Sequence, residues 1–281
     1  MLTDFYQNKK VLITGGSSGI GLALASLLIQ HQAKVCILAR TPENLQKAVR
    51  KLENTRPSPD VEITSISADV SDSTNLNQAL SQLFSRWRKV DILINSAGVA
   101  HPGEFWLLEE KIFHQTMQIN YFGTVNAIRA VLPNMLAEKT GIIVNLSSVV
   151  GYLNIYGYTA YGASKHAVTG LSDALRMELK PHGIQVSLVY PPDTDTPQLA
   201  YENQYKPYVT RVLASNGGIL KPEQVAREIL VGVARGNYLI LPGFENKLIY
   251  TAVRLLGKGL AYALMDHMVR SALQRKTTAE K

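Results

Sequence analysis

A tyrosine and a lysine four residues apart, Tyr161 and Lys165, are the pair in this chain best suited to acid–base chemistry. Four residues are about one helical turn, so on a helix the phenol and the ammonium group lie side by side. A neighbouring positive charge favours the phenolate and moves the pKa of tyrosine, ordinarily about 10, toward neutral pH. Such a phenol can exchange a proton with a carbonyl or an alcohol. An ordinary surface helix with one tyrosine and one lysine would show the same pattern.

A glycine-rich segment near the start of the chain could hold a phosphate. Residues 14–21 read TGGSSGIG and follow an apolar, strand-like run. Glycines at a strand-to-helix turn let backbone N–H groups approach a pyrophosphate at the start of the helix, although the same glycines also suit a flexible turn. We predict that a dinucleotide contacts Gly15, Ser17, Ser18, Gly19, Ile20 and Gly21.

The residue after the second predicted strand indicates which dinucleotide. NAD-binding folds place an acid there, on the ribose 2′-hydroxyl, whereas this chain has Ala39 followed by Arg40. Alanine leaves room for a 2′-phosphate and arginine can bind it, so we predict NADP(H). A surface arginine with no ligand is the alternative.

These residues need a scaffold, and the rest of the sequence predicts one. Short apolar runs at 11–14, 34–39, 62–67, 92–95, 141–146, 185–190 and 238–241 mostly alternate with segments of helical period. We therefore predict a single α/β domain over residues 1–243. It is a Rossmann-type, doubly wound parallel sheet of about seven strands with helices on both faces. A C-terminal helical segment and tail follow at 244–281.

Composition excludes several other classes of protein. The 281 residues are 46% hydrophobic and 18% charged, with a formal charge of +7 and no nucleic-acid motif. Six scattered histidines and one cysteine show no metal-ligand spacing, so we expect no metal. Cys36 lies in an apolar run and is expected to be buried and reduced. The polar N-terminus leads directly into a strand, and we expect a cytoplasmic body without a leader.

Together these features resemble the short-chain dehydrogenase/reductase family over about residues 10–241. The resemblance also rests on Asn120, on the pair Asp69-Val70 and on residues 95–98, which read NSAG. It implies that Asn120 holds a proton-relay water. Family spacing selects Ser148 as the catalytic serine, and Ser147 is expected to be structural. Further cofactor contacts are implied at Asp69, Val70, Asn95, Ala97 and Gly98.

The resemblance also implies a reaction. Ser148 and Tyr161 would polarise a ketone, nicotinamide would deliver hydride, and Tyr161 would supply the proton. Lys165 would hold the nicotinamide ribose and lower the pKa of the tyrosine. After the sixth strand, residues 190–197 read YPPDTDTP, where most of the family has glycine in place of Pro192. Thr194 is expected to contact the nicotinamide carboxamide, and Thr196 a cofactor phosphate.

The expected substrate is also based on residues 190–197. Together with residues 202–203 and 221–226 they are similar to family members that reduce the 3-keto group of a sphingoid base, so we expect NADPH-dependent reduction of a long-chain ketone. A steroid or a 3-oxoacyl chain is the alternative. A sensor that binds NADPH without turnover usually lacks the serine, tyrosine or lysine, and all three are present. The family keeps a mobile lid near 198–218, where three tyrosines would face a greasy substrate or lie on the surface.

The C-terminal segment could contact a membrane. Between residues 247 and 265 the chain is apolar apart from three basic residues. On a continuous helix Lys247, Arg254 and Lys258 form one stripe, roughly opposite Ile249, Val253, Leu256 and Leu260. We predict peripheral binding to the cytosolic face of a membrane rather than a spanning helix. Packing on the body or on another subunit is the alternative. Family members commonly form homodimers or homotetramers through the helices near Glu110 and Tyr161, and we expect the same here.

Overall fold

The computed structural model describes residues 2–214 and 218–279. Its strands are β1 Lys10–Thr14, β2 Lys34–Ala39, β3 Ile63–Ser67, β4 Ile92–Asn95, β5 Gly141–Leu146, β6 Ile184–Val189 and β7 Leu239–Ile240. Its helices are α1 Leu2–Tyr6, α2 Gly19–Gln30, α3 Pro42–Glu53, α4 Ser73–Trp87, α5 Glu110–Met117, α6 Gly123–Glu138, α7 Thr159–Leu179, α8 Pro197–Tyr205, α9 Tyr208–Ala214, α10 Pro222–Ala234 and α11 Phe244–Ala279. Short 3₁₀ turns lie at Phe105–Leu107, Val149–Gly151 and Lys180–His182.

The seven strands form one parallel sheet in the order β3-β2-β1-β4-β5-β6-β7. Helices α2, α3 and α10 bury residues such as Leu24 and Ile229 on one face, and α4, α6 and α7 bury residues such as Leu80 and Val131 on the other. The predicted doubly wound α/β fold is confirmed. The strand order reverses between β1 and β4, so a crevice opens beyond the carboxyl ends of these strands.

The predicted helix over residues 110–136 is interrupted. A π-helical turn, Gln118–Phe122, separates α5 from α6. The Asn120 side chain points inward there, and its amide group forms hydrogen bonds with the Val99 backbone and with the Ser164 hydroxyl. A π turn inserts one residue into the helical repeat, which apolar periodicity does not reveal.

The segment 198–218, which has no clear period and where the resemblance implies a mobile lid, includes two short helices, α8 and α9. Thr196 caps α8 by accepting a hydrogen bond from the Leu199 N–H at 3.3 Å, and Pro197 occupies the first turn, a common helix start. Residues 215–217 of the predicted lid lie outside the described part of the chain.

Helix α11 corrects the prediction for the C-terminal segment. Gly257 has φ 79° and ψ 157°, which breaks the helix into residues 244–256 and 258–279. The predicted stripe therefore joins Lys247 and Arg254 but does not continue to Lys258. Helical geometry extends to Ala279, and residues 280 and 281 lie outside the described chain.

The start of α11 is fixed to the body, whereas most of its length is exposed. The Asn246 amide donates to the Tyr190 carbonyl at 2.7 Å and accepts from the Tyr152 hydroxyl at 3.1 Å. By length and composition the stretch Phe244–Lys276 could cross a membrane, and it is the one such helix within residues 2–214 and 218–279.

Candidate active site

The glycine-rich turn lies at the amino end of α2 and has the geometry that a phosphate site needs. Gly15 and Gly19 have φ of 69° and 52°, the left-handed region that favours glycine. A Cβ atom at Gly15 would lie 2.7 Å from the backbone of Ala97. Ser18 is the N-cap of α2 but makes no side-chain cap hydrogen bond, so the first N–H groups of the helix are left to a ligand. The turn therefore fits the pyrophosphate of a dinucleotide.

The loop after β6 lies against this turn. A Cβ atom at Gly19 would meet the Thr196 methyl group at 3.0 Å, so Thr196 lies beside the predicted phosphate site. Thr194 is buried, and it pairs with Leu220 in an isolated parallel bridge. Its hydroxyl donates to the Pro192 carbonyl at 2.8 Å.

At the far end of β2, Arg40 and Asp69 form a loose ion pair of 3.8 Å. The Arg40 side chain is 67% exposed, which leaves its guanidinium free to bind a 2′-phosphate. Partial burial raises the pKa of Asp69, but hydrogen bonds from Ser71 and the charge of Arg40 outweigh it and lower that pKa overall. Asp69 is therefore ionised at neutral pH and can accept hydrogen bonds from a nucleotide.

One cleft of about 360 Å³ is lined by the glycine turn and by Ser148, Tyr161 and Lys165. The Lys165 ammonium donates to the Leu146 carbonyl at 2.8 Å and lies 5.6 Å from the centre of the Tyr161 ring. Ser148 is the N-cap of the turn Val149–Gly151. Ser147, by contrast, donates to the Lys165 carbonyl at 2.9 Å, so its hydroxyl ties β5 to α7.

The pKa values of the pair differ from our expectation. Burial raises the pKa of Tyr161 and the negative charge of Glu202 adds to this, while hydrogen bonds from Ser148 and Gln198 act in the opposite direction. Burial also lowers the pKa of Lys165 to about 8, because the low-dielectric interior disfavours the ammonium. The expected lowering of the tyrosine pKa is therefore wrong for the protein alone. The phenol stays protonated at neutral pH, as a proton donor requires.

Fifteen of the predicted site residues line the cleft, and three do not. The lining set is Gly15, Ser17, Ser18, Gly19, Ile20, Arg40, Asp69, Val70, Ala97, Gly98, Ser148, Tyr161, Lys165, Thr194 and Thr196. Gly21 lies behind the turn, where a Cβ atom would be 2.4 Å from the Gly15 carbonyl oxygen. Asn95 is buried and donates to the Asn145 side chain at 2.9 Å, so it braces the sheet, and its contact with the cofactor stays a prediction.

Asn120 is the third residue outside the cleft. Its Nδ2 donates to the Val99 carbonyl and to the Ser164 hydroxyl, both at 2.9 Å, and its Oδ1 accepts from the Val99 N–H at 2.8 Å. Both amide protons are thus used within the protein. The side chain links the loop after β4 to the catalytic helix α7, and its contact with a relay water stays a prediction.

Helix α8 presents a polar face to the cleft, which we did not predict. Gln198, Glu202 and Lys206 line it. Tyr201 and Tyr205 pack against each other and against His101, outside the cleft lining, and both are exposed, which favours the surface alternative for these two tyrosines. The four-residue spacing of the three polar residues, directly after a Thr-Pro helix start, is the signal that could have revealed this face.

Comparison with known proteins agrees with this geometry. Residues 9–206 match the short chain dehydrogenase family, and the chain belongs to this family. The predicted family and oxidoreductase class are confirmed.

The chain is also similar to individual members of this family. A 3-ketodihydrosphingosine reductase from Bos taurus is 40% identical over 229 residues, which cover 81% of this chain and 69% of the relative. A fatty acyl-CoA reductase from Acinetobacter baylyi is 31% identical over 278 residues, or 96% of this chain and 92% of that relative. The crystal structure of a levodione reductase superposes with a TM-score of 0.78 at 25% identity, covering 86% of this chain and 98% of the other.

Proposed function

We propose that this protein reduces 3-ketodihydrosphingosine to dihydrosphingosine with NADPH. The observation that carries the proposal is the gathering of Ser148, Tyr161 and Lys165 in one cleft with the glycine turn and Arg40. The name of the Bos taurus relative supports the choice of substrate.

The chemistry follows from the placement of these residues. NADPH, when bound, supplies a hydride to the carbonyl carbon. The hydroxyls of Ser148 and Tyr161 donate hydrogen bonds to the carbonyl oxygen, so negative charge that develops there is stabilised. Tyr161 then transfers its proton to that oxygen, and the nearby Lys165 ammonium stabilises the phenolate left behind. Arg40 and the start of α2 would hold the phosphates of the cofactor.

One assay tests the substrate. NADPH oxidation is measured with 3-ketodihydrosphingosine in mixed micelles, beside a steroid ketone and an acetoacetyl thioester. We expect the highest kcat/KM for the sphingoid ketone. A higher value for either comparison ketone would refute the choice of substrate while leaving the oxidoreductase class intact.

A second candidate activity is reduction of an acyl thioester. It is favoured by the fatty acyl-CoA reductase relative, whose similarity extends over almost the whole chain. A long-chain acyl-CoA is therefore added to the assay. Turnover with this thioester above that with the sphingoid ketone would favour this second activity.

We also propose that α11 binds a membrane surface from the cytosolic side. Several leucines near the Gly257 break are exposed, among them Leu255 at 77% and Leu264 at 60%, and Arg254 and Lys258 flank the same break. Exposed apolar side chains with basic neighbours suit an anionic interface, where a long-chain ketone partitions. If the full chain and a chain ending at Pro242 both stayed soluble in detergent-free fractionation, the proposal would be abandoned.

We propose further that the protein is a homodimer or homotetramer. Exposed apolar side chains on two of the expected pairing elements support this, namely Phe122 at 45% and Met177 at 65%. Light scattering on the full chain tests it, and a monomer across the micromolar range would contradict it.

A further inference from the structure

A carboxylate is buried beside the proton donor, and the reduction described above does not use it. Glu202 is 6% exposed and lines the cleft from α8. Its oxygens accept hydrogen bonds from the Tyr158 hydroxyl at 2.5 Å and from the Gln198 amide at 3.0 Å. Both donors are neutral groups, so neither of them is a counter-ion for the carboxylate.

The two lysines of the cleft are engaged elsewhere. Lys206 pairs with Asp193 at 3.6 Å, and Lys165 donates to the Leu146 carbonyl. Within residues 2–214 and 218–279 no basic side chain lies at ion-pair distance from Glu202. Burial raises the pKa of Glu202, although the bonds from Tyr158 and Gln198 and the charge of Lys206 act in the opposite direction. Burying an ionised group without a partner is unfavourable, so a cationic ligand group would be stabilised here.

The carboxylate and the proton donor face the same cleft. Tyr158, which donates its hydroxyl proton to Glu202, packs with its ring centroid 5.8 Å from that of the Tyr161 ring, and Glu202 and Tyr161 both line the cleft. In 3-ketodihydrosphingosine the carbon next to the ketone carries an amino group, which is an ammonium when protonated. With the ketone oxygen on Tyr161, an ammonium on the next carbon would share the cleft with the Glu202 carboxylate.

We infer that Glu202 binds the ammonium group next to the ketone and thereby selects amino ketones over neutral long-chain ketones. The inference rests on the proposed function. Gln198 and Tyr158 are positioning residues that orient the two carboxylate oxygens. The cleft face of α8 is thus the specificity surface for the polar head of the substrate.

The test compares two substrates and two variants. The substrates are 3-ketodihydrosphingosine and the analogue that lacks the amino group but keeps the ketone and the chain. The first variant is Glu202→Gln, which retains a hydrogen-bond acceptor for Tyr158 and removes the charge. The matched control is Glu104→Gln, since Glu104 accepts a hydrogen bond from the Tyr156 hydroxyl at 2.7 Å and neither residue lines the cleft.

We expect Glu202→Gln to lower kcat/KM for the amino ketone by about 10- to 100-fold, the size of a hydrogen bond to a charged group, and to leave the analogue within about twofold. Glu104→Gln should change neither value. An equal loss for both substrates would mean a structural role and refute the inference, as would no loss for either.

The wild-type chain gives an independent measurement should Glu202→Gln fail to fold. Equal kcat/KM for the amino ketone and its analogue would refute ammonium recognition while leaving the proposed reduction intact. Absence of wild-type turnover with both ketones, beside turnover of a thioester or a steroid ketone, would instead refute the proposed function on which the inference rests.

Discussion

Replacing Tyr161 by phenylalanine removes one oxygen from the cleft and keeps the ring. Burial holds this phenol in its protonated form, so it is the proton donor of the proposed reduction. Loss of a general acid lowers a rate by about 10²- to 10⁴-fold, which corresponds to about 3–5 kcal/mol of transition-state free energy. The deleted hydroxyl is buried, and loss of a buried hydrogen-bonding group costs about 1–3 kcal/mol of folding stability. The glycine turn and Arg40 are untouched, so the affinity for NADPH should change little.

The assay follows NADPH oxidation for kcat, NADPH fluorescence for cofactor affinity and urea denaturation for stability. Tyr156→Phe is the matched control, because it deletes a tyrosine hydroxyl that is hydrogen-bonded to a carboxylate outside the cleft lining. A kcat for Tyr161→Phe within about tenfold of the wild type would contradict general-acid catalysis by this residue. A loss of cofactor affinity equal to the loss of rate would contradict the separation between the catalytic and phosphate-binding parts of the cleft.

Three further predictions concern the catalytic lysine, the cofactor 2′-phosphate and the glycine turn. Burial lowers the pKa of Lys165 to about 8, so kcat/KM for reduction should fall above that pH as the ammonium deprotonates, and Lys165→Arg should abolish this fall in the pH profile. Arg40→Ala should reduce the preference for NADPH over NADH by about 10- to 100-fold, and an unchanged ratio of kcat/KM values would contradict phosphate binding by this residue. Gly236→Ala should lower the free energy of unfolding, measured in urea, by about 1–2 kcal/mol, and Gly15→Ala should lower it by more. Both positions have positive φ, but only at Gly15 does the added methyl meet backbone, so equal costs would contradict the steric argument.

The sheet could be predicted from the sequence because burial on both faces makes parallel strands continuously apolar. All seven strands lie within a residue or two of the predicted runs. The break between α5 and α6 could not be predicted, because the π turn is set by the tertiary hydrogen bonds of Asn120. Apolar periodicity records which face of a helix is buried and carries no information about such local insertions.

The site was predictable where a motif fixes a backbone shape, as in the glycine turn. The hydrogen bond from Asn95 to Asn145 was not predictable, because a motif gives the position of a residue along a strand but not the neighbour that its side chain selects. The Tyr161 pKa was wrong for a different reason. The positive charge of Lys165 is visible in the sequence, whereas the burial and the Glu202 carboxylate that outweigh it arise only when α7 and α8 meet.

The break at Gly257 limits how far α11 can reach as a rigid rod. At 1.5 Å per residue, residues 244–256 extend about 20 Å, which is shorter than the roughly 30 Å hydrocarbon core of a bilayer. Residues 258–276 reach about 29 Å, yet Ala272 within them is 1% exposed and therefore covered by protein. Neither rod can cross a bilayer without a rearrangement of the protein. If α11 binds a bilayer as proposed, the conformation of a single glycine therefore limits each half of this apolar segment to one leaflet.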